Sequence, residues 1–229
     1  MLLLVTDTSG KQGSVSLARA REDDRDQNAL ELIEVAPLAG GAFSAQLVPQ
    51  IAALLAKYRF TKTDIEAFIV VSGPGSFTGL RVGLAAIKAL AEVLKKPIVP
   101  VSLLEVLALA SGRQGKVSAV LDAGRGDVYF GLYEIAGDST QVVREELLSK
   151  RELLSLAHDA TVATPELTLA ATAREANLSV VVVDPPSAEM IARRGWRKLR
   201  AGESVSPDKL EANYSRSDAE MFVNPAASF

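Results

Sequence analysis

Short unbroken apolar runs and longer stretches with apolar residues at helical spacing follow one another along the chain. Leu2 to Thr6 is such a run, closed by Asp7-Thr8-Ser9-Gly10, and Ser14 to Ala18 and Leu30 to Ala36 are two further strand candidates. Three strands in succession predict a meander, with the charged Arg19 to Asp26 as its solvated hairpin tip. Leu47, Val48, Ile51, Leu54, Leu55 and Tyr58 then lie on one face of an amphipathic helix. Pro49 lets that helix begin near Val48, or after Ser44 with a kink. A fully apolar strand at Ala67 to Val71 leads into Ser72-Gly-Pro-Gly-Ser-Phe-Thr-Gly-Leu-Arg-Val-Gly83. From Thr78 a second helix places Leu80, Leu84, Ile87, Ala91 and Leu94 on one face and ends at Lys95-Lys96 before Pro97. Gly79, Gly83 and Ala86 form a small-residue stripe beside that face. Glycine inside a helix weakens it by about 1 kcal/mol relative to alanine, so the stripe predicts close packing. Another helix, or the protein's own sheet, would satisfy it.

The second half repeats the theme less clearly. Ile98 to Val101 reads as a strand, Leu103 to Ala110 as a helix, and Val117 to Leu121 and Asp127 to Ile135 as strands joined by a turn at 122–127. Helices follow near Arg151 to Ala157 and Pro165 to Ala176, then a strand at Val180 to Val183 and a basic helix from Ser187 to Ala201. Two successive meander-then-βα segments suggest a duplicated α/β fold.

Composition narrows the chemistry. At 229 residues the chain suits two small lobes. It contains no cysteine, which removes disulfides, thiolate metal sites and cysteine nucleophiles. A net charge of −3 gives no electrostatic case for wrapping nucleic acid, so any RNA contact is expected to be mostly a partner's. Apolar runs are too short for a signal or membrane segment, and a cytoplasmic protein is expected.

The glycine-rich stretch is not a Walker loop, because Thr78 or Leu80 stands where the second glycine belongs. It also lacks the third glycine of a dinucleotide fingerprint and the flanking glycines of a nucleophile elbow around Ser76. The one histidine, His158, follows an amphipathic helix and reads as a surface residue near the negative end of its dipole. Asp7, Thr8 and Ser9, with Gly75 and Ser76, could contact Mg²⁺ and phosphate through hydroxyls and backbone amides, or could simply cap a turn.

Ser72 to Gly83 after an apolar strand resembles the signature of the bacterial TsaB (YeaZ) family, glycoprotease-like, actin/Hsp70-related proteins of tRNA threonylcarbamoyladenosine synthesis. Leu4-Val-Thr-Asp-Thr-Ser9 resembles that family's first strand, Ser44-Ala-Gln-Leu-Val-Pro49 its first helix, Asp122 to Tyr129 its Asp-Ala-Arg hairpin, and Ala212-Asn-Tyr-Ser-Arg216 its tail. Three positions depart from the pattern. Phe43 stands for a common His, Gly124 for the hairpin Arg with Arg125 beside it, and Asp127 for a Glu.

The resemblance implies a two-lobed actin/Hsp70/sugar-kinase-like (ribonuclease H-like) fold. The lobes are expected at 1–102, joined by the returning tail 208–229, and at 103–207. It implies a subunit that is catalytically inactive alone and pairs with a catalytic TsaD paralogue, which transfers the threonylcarbamoyl group to the adenosine beside the anticodon. A TsaE-like ATPase joins them, tRNA is met indirectly, and the chain alone forms a homodimer. No cofactor is expected for the chain itself, with ATP or ADP and Mg²⁺ at the level of the complex. Pairing is expected on a helix face of Gly79, Leu80, Gly83, Ala86, Ile87, Val48 and Ile51. Asp122, Arg125, Tyr129, Tyr214 and Arg216 form the motif expected at the lobe interface. The alternative is an enzyme, a phosphoryl-transfer or glycoprotease-like hydrolase in which Asp7, Thr8 and Ser76 hold Mg-nucleotide.

Overall fold

The computed structural model describes residues 1–21, 30–137 and 139–213. They divide into two units, Met1–Val106 with Pro186–Asn213, and Leu107–Pro185. In the first, β1 (Leu2–Asp7), β2 (Gly13–Ala20) and β3 (Leu30–Leu38) form the predicted meander, α1 (Phe43–Lys57) and β4 (Ile65–Gly73) follow, and α2 (Phe77–Leu94) leads to β5 (Ile98–Ser102). The five-stranded sheet has the order β3-β2-β1-β4-β5, with β1 antiparallel to β2 and parallel to β4. After α3 (Leu103–Ala110), the second unit repeats the plan in β6 (Gly115–Gly124), β7 (Asp127–Ala136), β8 (Ser139–Ser149), α4 (Lys150–Leu156), β9 (Thr161–Thr164), α5 (Leu167–Glu175) and β10 (Val180–Val182). Its order, β8-β7-β6-β9-β10, and its strand directions match those of the first sheet. The fold is α/β and duplicated, of the two-lobed ribonuclease H-like class.

β1 shows why the first sheet needs cover on both faces. Leu2 and Leu4 point into a core with Leu47, Ile51, Leu84 and Ile87 from α1 and α2. Leu3 and Val5 point to the opposite face, where Ile191, Ala192 and Trp196 of α6 (Ala188–Arg200) cover them. The sequence boundaries put this helix in the second lobe, within 103–207, and the structure moves it to the first. The reason is physical: α6 carries an apolar stripe that fits the remaining bare face of the first sheet, and Gly195 lies so close to Ile69 that a Cβ there would overlap its side chain. Glu105, at the start of α3, accepts a 2.5 Å hydrogen bond from Arg194 in the buried seam beneath α6.

Pro49 sits inside α1, which starts at Phe43 rather than at Val48. The ring faces solvent, and the helix runs through it although proline supplies no N–H to the helical ladder. β8 and β9 went unpredicted. β8 is an edge strand, mostly half-buried and without strict alternation, and its Glu145-Glu146-Leu147-Leu148 reads equally well as helix. β9 has only four residues, too few for a periodic signal. The expected hairpin tip at 19–26 lies outside the described residues, except for its first three positions.

Candidate functional site

β1 and β4 run parallel, so Asp7 and Gly73 end at the same edge of the sheet, where α2 begins. Ser76 caps α2, its hydroxyl accepting from the Gly79 amide at 3.2 Å, while its own amide donates to the Ser9 carbonyl at 2.6 Å. Gly75, at φ +155°, passes so near Ser9 that a side chain would overlap the Ser9 carbonyl. Gly73, at φ +140°, lies equally close to the carbonyl of Asn213, whose amide donates to Ser72 at 2.8 Å. The Gly73–Pro74 peptide is cis. The glycine-rich loop is thus pressed between the β1–β2 turn and the incoming tail, and its glycines serve this backbone contact.

Asp7 forms a local cap. One carboxylate oxygen accepts from the Ser9 amide at 2.9 Å and from the Ser9 hydroxyl at 2.5 Å. Burial nonetheless pushes the carboxyl above its ordinary value, against the lowering effect of the Ser9 bonds. Thr8 is buried, and its hydroxyl packs on Gly83. Asp7, Thr8, Ser9 and Ser76 are therefore engaged with their neighbours, and no group of three or more metal-ligating side chains occurs among the described residues.

The small-residue stripe faces inward. A Cβ on Gly79 would overlap the Thr8 carbonyl and crowd the Phe43 ring, and one on Gly83 would overlap the Thr8 hydroxyl. Leu80, Ile87 and Ile51 are buried in the first unit's own cores. Of the expected docking face, Gly79, Leu80, Gly83, Ile87 and Ile51 are thus interior residues; Ala86 is partly covered and Val48 is 52% exposed. Phe43 is buried between Gly13 and Gly79.

A second stripe, missed in the sequence, runs along the outside. On α1, Ala45, Val48, Pro49, Ala52, Ala53 and Ala56 are all exposed, at spacings of i, i+3, i+4, i+7, i+8 and i+11. On α2, which packs beside α1, Ala85, Ala89 and Val93 are exposed, Val93 at 73%. Lys57 is the only charged residue in α1. α1 is apolar on two sides, whereas a solvated surface helix carries polar residues on its outer face; on α2 the exposed small residues alternate with exposed Arg81 and Glu92. Repeated alanines at helical spacing were the available signal, masked by the larger residues of the inner face.

In the second unit, Asp122 repeats the Asp7 device, its carboxylate accepting from the Gly124 amide at 3.2 Å. Arg125 and Gly126, at φ +59° and +94°, make the hairpin tip, with Arg125 exposed. Tyr129 is partly buried on β7. Beside them, burial raises the Glu166 carboxyl, opposed by bonds from the Thr164 hydroxyl and the Asp122 amide. Tyr214 and Arg216 lie outside the described residues.

A family model described as "TsaD: tRNA N6-adenosine threonylcarbamoyltransferase" matches residues 35–190. The "tRNA threonylcarbamoyladenosine biosynthesis protein TsaB" of Bacillus subtilis is 35% identical over 173 residues, 69% of this chain and 72% of that protein. The chain belongs to the TsaB (YeaZ) family. The Haemophilus influenzae TsaB is 31% identical over 152 residues, and the match spans 57% of its length. YeaZ from Pseudomonas aeruginosa shares the fold, with a TM-score of 0.70 at 23% identity over 92% of this chain and 99% of that one. TsaB-family identity thus rests on sequence, and the shared architecture on structure. The glycines between Ser72 and Gly83 pack against Thr8, Ser9 and Asn213 of the same chain.

Proposed function

We propose that this chain is a non-catalytic partner subunit in tRNA threonylcarbamoyladenosine biosynthesis, docking a TsaD-like catalytic paralogue on the outward face of α1 and α2. The observation that carries this is the double-sided apolar character of α1: Val48, Ala52 and Ala53 lie bare where a solvated helix would be polar, and Ala85, Ala89 and Val93 of the adjoining α2 are exposed beside Arg81 and Glu92. Family membership supplies the pathway, and the names of its B. subtilis and H. influenzae relatives supply the modified nucleoside. In the absence of the paralogue, the same face would be covered by a second copy, giving a two-fold homodimer. The paralogue does the chemistry and holds most of the tRNA, a TsaE-like ATPase completes the assembly, and any ATP or ADP with Mg²⁺ belongs to the complex.

The test is reconstitution. The TsaD-like protein of the same genome, with unmodified tRNA, threonylcarbamoyl donor and the ATPase, should form the modified nucleoside only when this chain is present. Equal product without it, or nucleotide turnover by this chain alone, would overturn the proposal.

A further inference from the structure

Beyond α6 the chain turns round the β5 edge of the first sheet and returns to the side that carries α1 and α2. Val205 makes an isolated antiparallel bridge to β5, its amide donating to the Ile98 carbonyl at 2.8 Å and its carbonyl accepting from the Ile98 amide at 3.2 Å. The segment then leaves the strand and lays one 3-10 turn, Pro207–Lys209, against α2. Leu210, 1% exposed, enters the core that holds Leu84, Ile87 and Ala91 of α2, and Val205 and Ala212 pack on the same core. The Asn213 amide closes the path by donating to the Ser72 carbonyl at 2.8 Å, while the Asn213 carbonyl presses on Gly73, just ahead of the first turn of α2. Gly73 pairs with Ser102, so this strap runs the whole length of β5.

Two features separate the strap from mere cover for a sheet edge. An edge is blocked by pairing or by charge along the strand, whereas the strap bridges β5 at one residue and directs Leu210 into the core beneath α2. It also completes a frame. α1 lies over β2 and β3 and packs on one flank of α2, and the strap stands at the β5 side, so α2 is held between two walls. A helix in a close-packed setting that loses a wall shifts as a unit, by about 1–2 Å, instead of deforming smoothly. Complementarity across a docking surface is lost at that scale.

We propose that the strap, residues 203–213, is a positioning device for the docking face: when seated it holds α2 in register with α1, and the face accepts its partner only in that state. Leu210 and Asn213 are positioning residues that act through α2. The proposal rests on the docking role given above.

The experiment uses the full chain with Leu210→Ala, which removes the peg, and Asn213→Pro, which removes the closing N–H bond and leaves the core side chains in place. Each should lower affinity for the TsaD-like protein about tenfold, as a misplaced docking surface does. In the unpartnered chain, amide exchange along α2 should quicken several-fold in each, because the helix has lost a wall. Leu210→Met refills the space and should pair like wild type. Trp196, the chain's single tryptophan, is buried on the opposite face of the sheet, and its emission should not move in any variant. Wild-type affinity in Asn213→Pro overturns the proposal. So does a loss of pairing accompanied by a red shift of Trp196 in that variant, since the strap would then be one part of a core that loosens throughout. Where Leu210→Ala does not fold, Asn213→Pro decides. Failure of the docking role itself reads out separately, as wild-type pairing by Val48→Glu. Exchange along α2 in Asn213→Pro then still judges the strap, supporting it if quickened and overturning it if unchanged.

Discussion

The Thr8 hydroxyl fills the space that a side chain on Gly83 would need. This one relationship decides what the glycines of α2 are for. They bring α2 down onto the end of β1, and the docking surface proposed above is the opposite side of the helix. Gly83→Ala should therefore weaken the isolated chain by about 1–3 kcal/mol, as overpacking does. Gly83→Arg should prevent folding altogether. Urea unfolding of the two variants checks this, and a Gly83→Arg protein of wild-type stability would show that the face is open after all.

The seam under α6 gives a second prediction. Glu105→Ala leaves Arg194 buried without its partner, and removing one member of a buried pair destabilises by about 3–5 kcal/mol. Arg194→Met in the same background should recover most of that loss, because the uncompensated charge is gone. If Glu105→Ala unfolds at the wild-type denaturant midpoint, the pair does not anchor α6.

Asp7 gives the pH dependence. Its folded pKa lies above the unfolded value, so the folded chain binds that proton more tightly. Stability from this group is greatest in acid and falls as pH rises from the unfolded carboxyl range through the folded pKa, with no further change beyond. Asp7→Asn keeps an acceptor for the Ser9 bonds and removes the buried charge. It should be at least as stable as wild type near neutral pH, and the difference should shrink in acid. A neutral-pH loss confined to Asp7→Asn would mean that the charge itself is needed.

Much of this was legible in the chain. The inner stripe of α1 and α2, the β1 run and the order of strands and helices up to β7 follow from apolar spacing, and the family signature fixed the duplicated fold. Direction was not legible. Gly79 and Gly83 look alike whether the neighbouring surface is β1 or another protein, and only the position of Thr8 separates the two. The outer stripe escaped notice because alanine contributes little to a periodic pattern dominated by Leu47, Ile51, Leu54 and Leu55. The placement of α6 depends on a non-local match between Trp196 and the face of β1 bearing Leu3 and Val5, which no local window contains.

Charge placed on the outer stripe should act on assembly alone. Val48→Glu and Ala85→Glu alter exposed positions, where substitutions usually change stability by no more than about 0.5 kcal/mol. Central interface positions lose about 2 kcal/mol or more, so pairing should weaken roughly 30-fold or more.

Light scattering after size exclusion tests the central claim most directly, applied to wild type and Val48→Glu, each alone and mixed with the TsaD-like protein. The wild-type chain should run as a homodimer that converts to a heterodimer on mixing, while Val48→Glu stays monomeric in both samples with an unchanged melting temperature. A Val48→Glu chain that still forms the heterodimer would place the partner elsewhere and contradict the account.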